Sequence, residues 1–263
     1  MLKLYHGASS VCSQKARLAL FEKQLEWESE LLDLPSGDQF HPDYLKLNPA
    51  AVVPTLVHDG FVLPESSAII HYLDGLGDAP KLVPDDPAAA AVTQLWLVRT
   101  IGVHEAINSM TFATAIRDAE LQRRTPEERE RWLSSIPNPQ IGEKRRDLMK
   151  NGPESVYVDG ALHTMRMTLS AMNAALEDAA YLTGDAYSLA DTAMTAYIDR
   201  LDRLALDGLW TQTGFDQVAP WLERVRQRPS YQSAVVDYIP AEMARMQRMS
   251  GETAWPVISK RLN

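Results

Sequence analysis

The chain has 263 residues, enough for one large domain or two modest ones. With 45% hydrophobic and 23% charged residues, its composition is that of an ordinary globular protein. A net charge of −9, with no Lys/Arg block interleaved with aromatics, argues against nucleic-acid binding and against anionic membrane surfaces.

The opening MLKLYHGASS lacks a charged region followed by an apolar run, so no signal peptide is expected. No apolar run reaches the ~18 residues of a membrane span. Leu2–Tyr5 reads as a short strand and Gly7-Ala8-Ser9-Ser10 as a loop. The spacing then predicts a helix from about Cys12 to Lys23, with Cys12, Ala16, Ala19 and Leu20 on one face. Cys12 is the only cysteine, so no internal disulfide can form; a soluble protein of a reducing, cytoplasmic compartment is expected.

Trp27–Leu32 reads as a second strand. Asp33 to Asn48, with Pro35, Gly37 and Pro42, reads as mostly loop with a helical turn. Val52–Val57 is β-branched and apolar, a buried strand; His58-Asp59-Gly60 is a turn, and Phe61–Leu63 a short returning strand. Pro64-Glu65-Ser66 opens a helix that aligns Ile69, Leu73 and Leu76 on one face.

Gly75–Pro87, rich in Gly, Asp and Pro, marks a linker, and no convincing strand follows it. Ala88–Arg117 reads as a long helix. Glu120–Ser155 is a charged insert holding Pro126, Pro137, Pro139 and Pro153; its EERERW and GEKRRDLMK pieces read as short helices with a solvated charged face. Val156–Ala180, Leu189–Leu206, Ala219–Arg228 and Tyr231–Met249 read as further helices, and Gly251–Asn263 as an aperiodic tail. The expected organisation is an α/β domain over 1–78, a linker over 79–87, and an all-helical domain over 88–263 with its insert around 120–155.

Two features of Ala51–Leu73 suggest a binding site. A cis bond before Pro54 would let Val53 present its backbone N–H and C=O as a free edge. Glu65-Ser66 stands at a helix N-terminus, where free N–H groups and the dipole attract an anion. Each also has an ordinary structural reading, a strand boundary for Pro54 and an N-cap for the helix start. At the first helix, Ser10, Ser9 or Ser13 could hydrogen-bond a ligand's thiol and favour its thiolate. Cys12 could instead be the protein's own reactive thiol, or a packed residue of the apolar face. No C-x-x-C occurs, which excludes a dithiol redox motif.

In the long helices Trp96, His104, Asn108 and Phe112 are candidates for a substrate pocket between the domains, although aromatic and Met positions at this spacing commonly form core. Ser188-Leu189-Ala190-Asp191 is a capping box, a device for starting a helix rather than for chemistry.

The order of these motifs resembles the glutathione transferase superfamily. SSVCSQKARLALFEK looks like its first helix, NPAAVVPTL its cis-proline strand, ESSAIIHYL its γ-glutamyl site and YSLADTAMTAYIDRL its capped core helix. The resemblance implies a thioredoxin-like N-terminal domain, an all-α C-terminal domain, a homodimer, and glutathione as co-substrate with no metal. It implies that Val53, after which Pro54 is cis, pairs with the cysteinyl backbone. Glu65 and Ser66 hold the γ-glutamyl end, and Gln39 lies at the glycyl end. Ser10 aligns with the thiol-activating serine of serine/cysteine-type classes, and Cys12 with a cysteine two residues on. Ala51 departs from the basic or amide residue of several classes, which leaves His41 or Lys46 for the glycyl carboxylate. Tyr5 is not at the position of the catalytic tyrosine of tyrosine-type classes.

The insert SSIPNPQIGEKRRDLMKNGPES is similar to one in bacterial glutathione-dependent β-aryl etherases, which cleave lignin-derived aryl ethers. SVCSQK and AVVPTL also resemble a reductive dehalogenase that forms a cysteine–glutathione mixed disulfide, and the zeta-type isomerases share the Ser/Cys arrangement. The expected function is therefore attack of glutathione on an aromatic electrophile, most specifically β-aryl ether cleavage. The alternatives are thiol-redox or isomerase chemistry through Cys12, and a non-catalytic binding or stress-response module on the same fold.

Overall fold

The computed structural model describes residues 1–136 and 138–262; Pro137 and Asn263, named above in the insert and the tail, lie outside the described residues. The chain divides into two compact units. The first comprises Met1–Thr100, Ala175–Ala196 and Pro220–Pro240, the second Ile101–Ala174, Tyr197–Ala219 and Ala241–Asn263.

The first unit is built on a four-stranded mixed sheet of β1 (Leu2–Gly7), β2 (Trp27–Leu32), β3 (Thr55–His58) and β4 (Phe61–Leu63), in the order β2-β1-β3-β4. Helix α1 (Val11–Glu22) makes the crossover between parallel β1 and β2, and α2 (Pro42–Leu47) precedes β3. β3 is antiparallel to both β1 and β4. Asp59 and Gly60 turn the β3–β4 hairpin at φ 48° and 88°, the positive angles that a two-residue turn of this hand requires. α3 (Ser66–Asp74) follows. Leu4, Ala16, Ala19, Leu20, Leu56, Ile69 and Leu73 pack into one core.

Strand β2 matches its predicted bounds. β3 is shorter than predicted: Val52 and Val53 stay outside it, because their loop is tied to other partners. Asn48 Nδ2 and Tyr44 Oη both donate to the Val52 carbonyl, at 2.9 and 2.5 Å. The segment after α3 has no regular structure, yet it is held. Buried Lys23 donates to the carbonyls of Ala79 and Pro80, and Asp74 accepts from the Leu82 and Val83 amides.

The rest of the chain is helical. α4 (Pro87–Thr111) leads through a π-turn at Phe112–Ile116 into α5 (Arg117–Arg123). α6 (Pro126–Ser134) and α7 (Pro139–Asn151) form the predicted pieces of the insert, followed by α8 (Val156–Ala175) and α9 (Leu189–Arg203). The short α10 (Gly208–Thr211), α11 (Val218–Arg226) and α12 (Pro229–Ala234) precede α13 (Ala241–Ile258). In the second unit Val103, Ile107, Met110, Leu148, Val158, Met165, Leu169, Ile198 and Leu201 are buried. Among the described residues no helix is long and apolar enough to cross a membrane.

Two predictions fail at the C-terminal end. The single helix expected over Tyr231–Met249 is broken: α12 ends at Ala234, and α13 starts only after Pro240. The tail expected to be aperiodic is helical through Ile258. Gly251 lies inside α13, and a Cβ there would fall 1.5 Å from the Leu204 carbonyl oxygen. Glycine is present because α13 meets that backbone, so its cost in helix propensity is offset by close packing. Pro256 lies inside α13, where its missing N–H forfeits one i→i−4 bond, to the Glu252 carbonyl.

Candidate active site

The loop from β1 to α1 is pinned from below by side chains that the sequence pattern conceals. Arg17, fully buried, donates to the carbonyls of Gly7 (3.1 Å), Ala8 (2.9 Å) and Ala234 (2.7 Å), and to His6 Nδ1 (2.9 Å). The Tyr238 ring lies 4.0 Å from its guanidinium carbon. Burial, and then the Arg17 charge, push His6 down to about 3. The imidazole is therefore neutral, with Nδ1 accepting from Arg17 and Nε2 donating to Ser29 Oγ at 2.7 Å.

His6 makes stability depend on pH. Unfolded, it takes a proton below about pH 6.5; folded, it does not. Stability contributed by the neutral imidazole is thus present above that range and falls as pH drops below it, by at most about 1.4 kcal/mol per pH unit. Urea unfolding of wild type and His6→Gln between pH 7 and 5 should give the steeper loss in wild type. Parallel profiles would remove this role.

On this loop Ser10 caps α1: its Oγ accepts from the Ser13 N–H at 3.3 Å. Ser9 is half-buried. Ser13 is fully buried, and its Oγ accepts from the Gly7 N–H at 3.1 Å. Cys12 departs from the packed position allowed by its spacing. It is only half-buried, whereas Ala16, Ala19 and Leu20 are completely covered. Its neighbours Val11, Ser13 and Gln14 are buried as well, so within the first turn of α1 only the Cys12 position is partly uncovered.

Val53 lies beside this loop; a Cβ on Gly7 would meet the Val53 side chain at 3.4 Å. The Val53–Pro54 bond is cis, as expected. Tyr44 and Asn48 occupy the Val52 carbonyl, while the main-chain groups of Val53 have no hydrogen-bond partner among the described residues.

At the start of α3, exposed Glu65 caps the helix by accepting from the Ser67 N–H at 3.1 Å. Ser66 is buried beneath it. The residue that the sequence reading missed is Lys15. It lies on α1 at 1% exposure, with its ammonium donating to Ser66 Oγ (3.2 Å), Ser67 Oγ (3.0 Å) and Thr100 Oγ1 (3.4 Å). Burial lowers its pKa, while the nearby Cys12 and Glu65 act to raise it. A cation under a helix N-terminus strengthens an anion cup. The one available signal was its position three residues after Cys12 and one turn before Ala19, inside the buried face.

Gln39 sits in the one-turn segment Asp38–Phe40, with Oε1 buried and without a partner among the described residues. His41 and Lys46, the alternatives for a carboxylate, are exposed and engaged locally. His41 caps α2 by accepting from the Asp43 N–H, and Lys46 pairs with Asp43 at 2.6 Å. Tyr5 is a strand residue, its ring 5.7 Å from that of Tyr44. The free edge at Val53, the cationic cup under Ser66 and the unpaired Gln39 carbonyl suit the backbone, carboxylate and amide groups of a glutathione-sized peptide.

Comparison with known proteins bears on the family. The family models for the glutathione S-transferase N-terminal and C-terminal domains match residues 9–76 and 139–229. Protein LigF of Sphingobium sp. strain SYK-6 is 30% identical over 241 residues, which is 87% of this chain and 91% of that protein. The crystal structure of beta-etherase LigF from the same strain aligns with a TM-score of 0.77 at 28% identity, covering 89% of this chain and 98% of that one. The tetrachloro-p-hydroquinone reductive dehalogenase of Sphingobium chlorophenolicum is 26% identical over 241 residues, 89% of this chain and 96% of that protein. Glutathione S-transferase Z1 of Arabidopsis thaliana is 43% identical, but over 91 residues, 35% of this chain and 41% of that protein. With both domain models matched and a 30% identical relative covered over nearly its whole length, the chain belongs to the glutathione transferase family.

Proposed function

We propose that this transferase joins glutathione to an aromatic electrophile by cleaving β-aryl ethers of lignin-derived compounds. The observation that carries the glutathione part is the convergence, within one unit, of the Ser10 hydroxyl, the Val53 edge and the Lys15–Ser66 cup. Similarity to beta-etherase LigF supports the choice of electrophile.

In this reading Val53 pairs with the cysteinyl backbone, and Ser66 over Lys15 takes the γ-glutamyl carboxylate. Glu65 faces the ammonium, and Gln39 the glycyl end. Ser10 accepts from the Ser13 amide, which leaves its own proton for the thiol sulfur and favours the thiolate. The sulfur displaces an aryloxide from the carbon next to a ketone. A C–S bond forms as the C–O bond breaks, the electron pair leaves on the aryloxide oxygen, and solvent protonates it. The ketone and the stable leaving group supply much of the reactivity, while the protein supplies orientation.

The remaining parts of the proposal are architectural. A glutathione-binding domain spans 1–78, a linker 79–87 and a helical domain 88–263. Exposed Val92, Leu95 and Val98 on α4 support a homodimer, which light scattering at the mass of a single chain would exclude.

A panel of β-aryl ethers, chlorinated hydroquinones and maleyl compounds, each assayed with glutathione, tests the substrate. Release of a phenol and a glutathione thioether from the ethers is expected. Activity confined to the other two classes would overturn the etherase reading.

Half-buried Cys12 near Lys15 favours a second reading, thiol-redox chemistry through a Cys12–glutathione disulfide. Mass spectrometry after exposure to glutathione disulfide separates the two: an adduct at Cys12 that turnover requires would favour the second.

A further inference from the structure

In the second unit, α4 does not end as a simple helix. Its last turn passes into the π-turn Phe112–Ile116, where Thr111 and Thr114 donate back to the Ile107 and Met110 carbonyls, each at 2.7 Å. Single π-turns inside helices re-aim side chains and recur at functional sites. The first residue of this one is Phe112, at 6% exposure, and the Arg145 guanidinium carbon from α7 lies 4.6 Å from its ring centre.

Arg145 is anomalous for a residue of a charged insert. Its Nε is buried without a partner, and the side chain has no hydrogen bond or ion pair to any described residue. Burial lowers its pKa, and the Glu105 charge raises it. Glu105 does not satisfy it, since that carboxylate bonds to Lys144 at 2.8 Å. His104, the other titratable neighbour of Glu105, has its ring 6.2 Å from that of Tyr197. Lys144 and Arg145 together carry one more charge than Glu105 neutralises. Arg145 is only half-buried as a residue, but a buried Nε donor left open is costly unless something else completes it. Its planar donor fork suits a carboxylate or an aryloxide, and the adjoining Phe112 face suits an aromatic ring.

We propose that Arg145 and Phe112 form a subsite for an arene bearing an anionic oxygen. The oxygen accepts from the Arg145 guanidinium, and the ring packs beside Phe112. This rests on the reading of the protein as a transferase acting on aromatic electrophiles, and it names what those electrophiles carry. The anion is either a carboxylate or an aryloxide borne by the arene.

Calorimetry on the full chain, with and without glutathione, tests this using benzoate against benzamide and 4-nitrophenolate against nitrobenzene. Wild type should bind at least one anion about ten- to a hundredfold more tightly than its neutral counterpart, the size of a charge-assisted hydrogen bond. Preference for benzoate alone identifies a carboxylate as that anion, and preference for 4-nitrophenolate alone identifies an aryloxide. Arg145→Met should abolish the preference while binding of the neutral arenes changes less than about threefold, and Arg145→Lys should retain part of it. Because the Arg145 side chain has no hydrogen bond or ion pair to any described residue, Arg145→Met leaves no such partner orphaned and should unfold at or above the wild-type temperature. Equal binding of anions and neutral arenes by wild type, no arene binding at all, or a preference that survives in Arg145→Met would each overturn the subsite. Glutathione turnover with a general aromatic electrophile is measured alongside. Turnover without anion preference removes the subsite and leaves the transferase reading, whereas absence of both glutathione binding and turnover removes the transferase reading.

Discussion

Replacing Ser10 by Ala should lower kcat/KM about a hundredfold while leaving the glutathione Kd within about threefold. The hydroxyl is held by its bond from the Ser13 amide, so in the proposed reaction it would donate to the bound thiolate in a fixed direction. Without it the bound thiol should titrate nearer its ordinary value of about 8.5, and much of the lost rate should return as pH rises through that range. The lost cap should cost about 1 kcal/mol of stability, too little to unfold the protein. Lys15→Met provides the contrast. It removes the cation under Ser66 and Ser67, so it should raise the glutathione Kd about tenfold or more and spare kcat. Steady-state kinetics with calorimetry read both. An unchanged Ser10→Ala rate would move the role to Cys12, Ser13 or the amides of the site, and an unchanged Kd in Lys15→Met would remove the cation from the cup.

Asp191→Ala should be the most destabilising single change, by about 3–5 kcal/mol, a fall of about 10 °C in Tm. Asp191 is completely buried at the start of α9. Oδ2 accepts from the Ser188 amide (3.0 Å) and hydroxyl (2.8 Å), and Oδ1 from the Leu182 amide (3.0 Å) and Trp221 Nε1 (2.8 Å). Alanine would leave all four donors without an acceptor. Asp191→Asn keeps one oxygen and should fall between. Folded Asp191→Ala protein should bind glutathione as wild type does, because these bonds serve folding. Thermal and urea unfolding measure the loss, and a cost below about 1 kcal/mol would show that the box is dispensable.

Asp191 also shows how far the sequence could be read. Ser188-x-x-Asp191 is a local pattern, so the cap was legible, but Trp221 lies 30 positions away and no spacing announces it. The same division runs through the site. Glu65 and Ser66 were legible because helix starts have local chemistry, and Pro54 because proline constrains its own backbone. Lys15 and Arg17 were not. α1 buries Ser13 through Leu20 on every side, so the helix lacks the polar face by which a lysine is recognised as solvent-exposed. Their partners lie 51 and 217 positions away, at Ser66 and Ala234. Phe112 stood between core and pocket for a related reason: helical spacing records that a side chain is covered, without recording that Arg145 covers it.

What the sequence determined by itself was therefore the local chemistry: the order of strands and helices through residue 76, the hairpin at Asp59-Gly60, the cap at Ser188, and the cis-proline loop. Each rests on backbone preferences that act within a few residues. Only the tertiary structure decided which polar groups are buried and what completes them. It placed Lys15 beneath Ser66, Arg17 beneath the Ser10 loop, Gly251 against the Leu204 carbonyl, and Arg145 on Phe112 with its Nε donor still open. The reason is energetic. Burying a charge or a polar atom is unfavourable until a partner is found, and that partner is supplied by whichever segment the fold brings there.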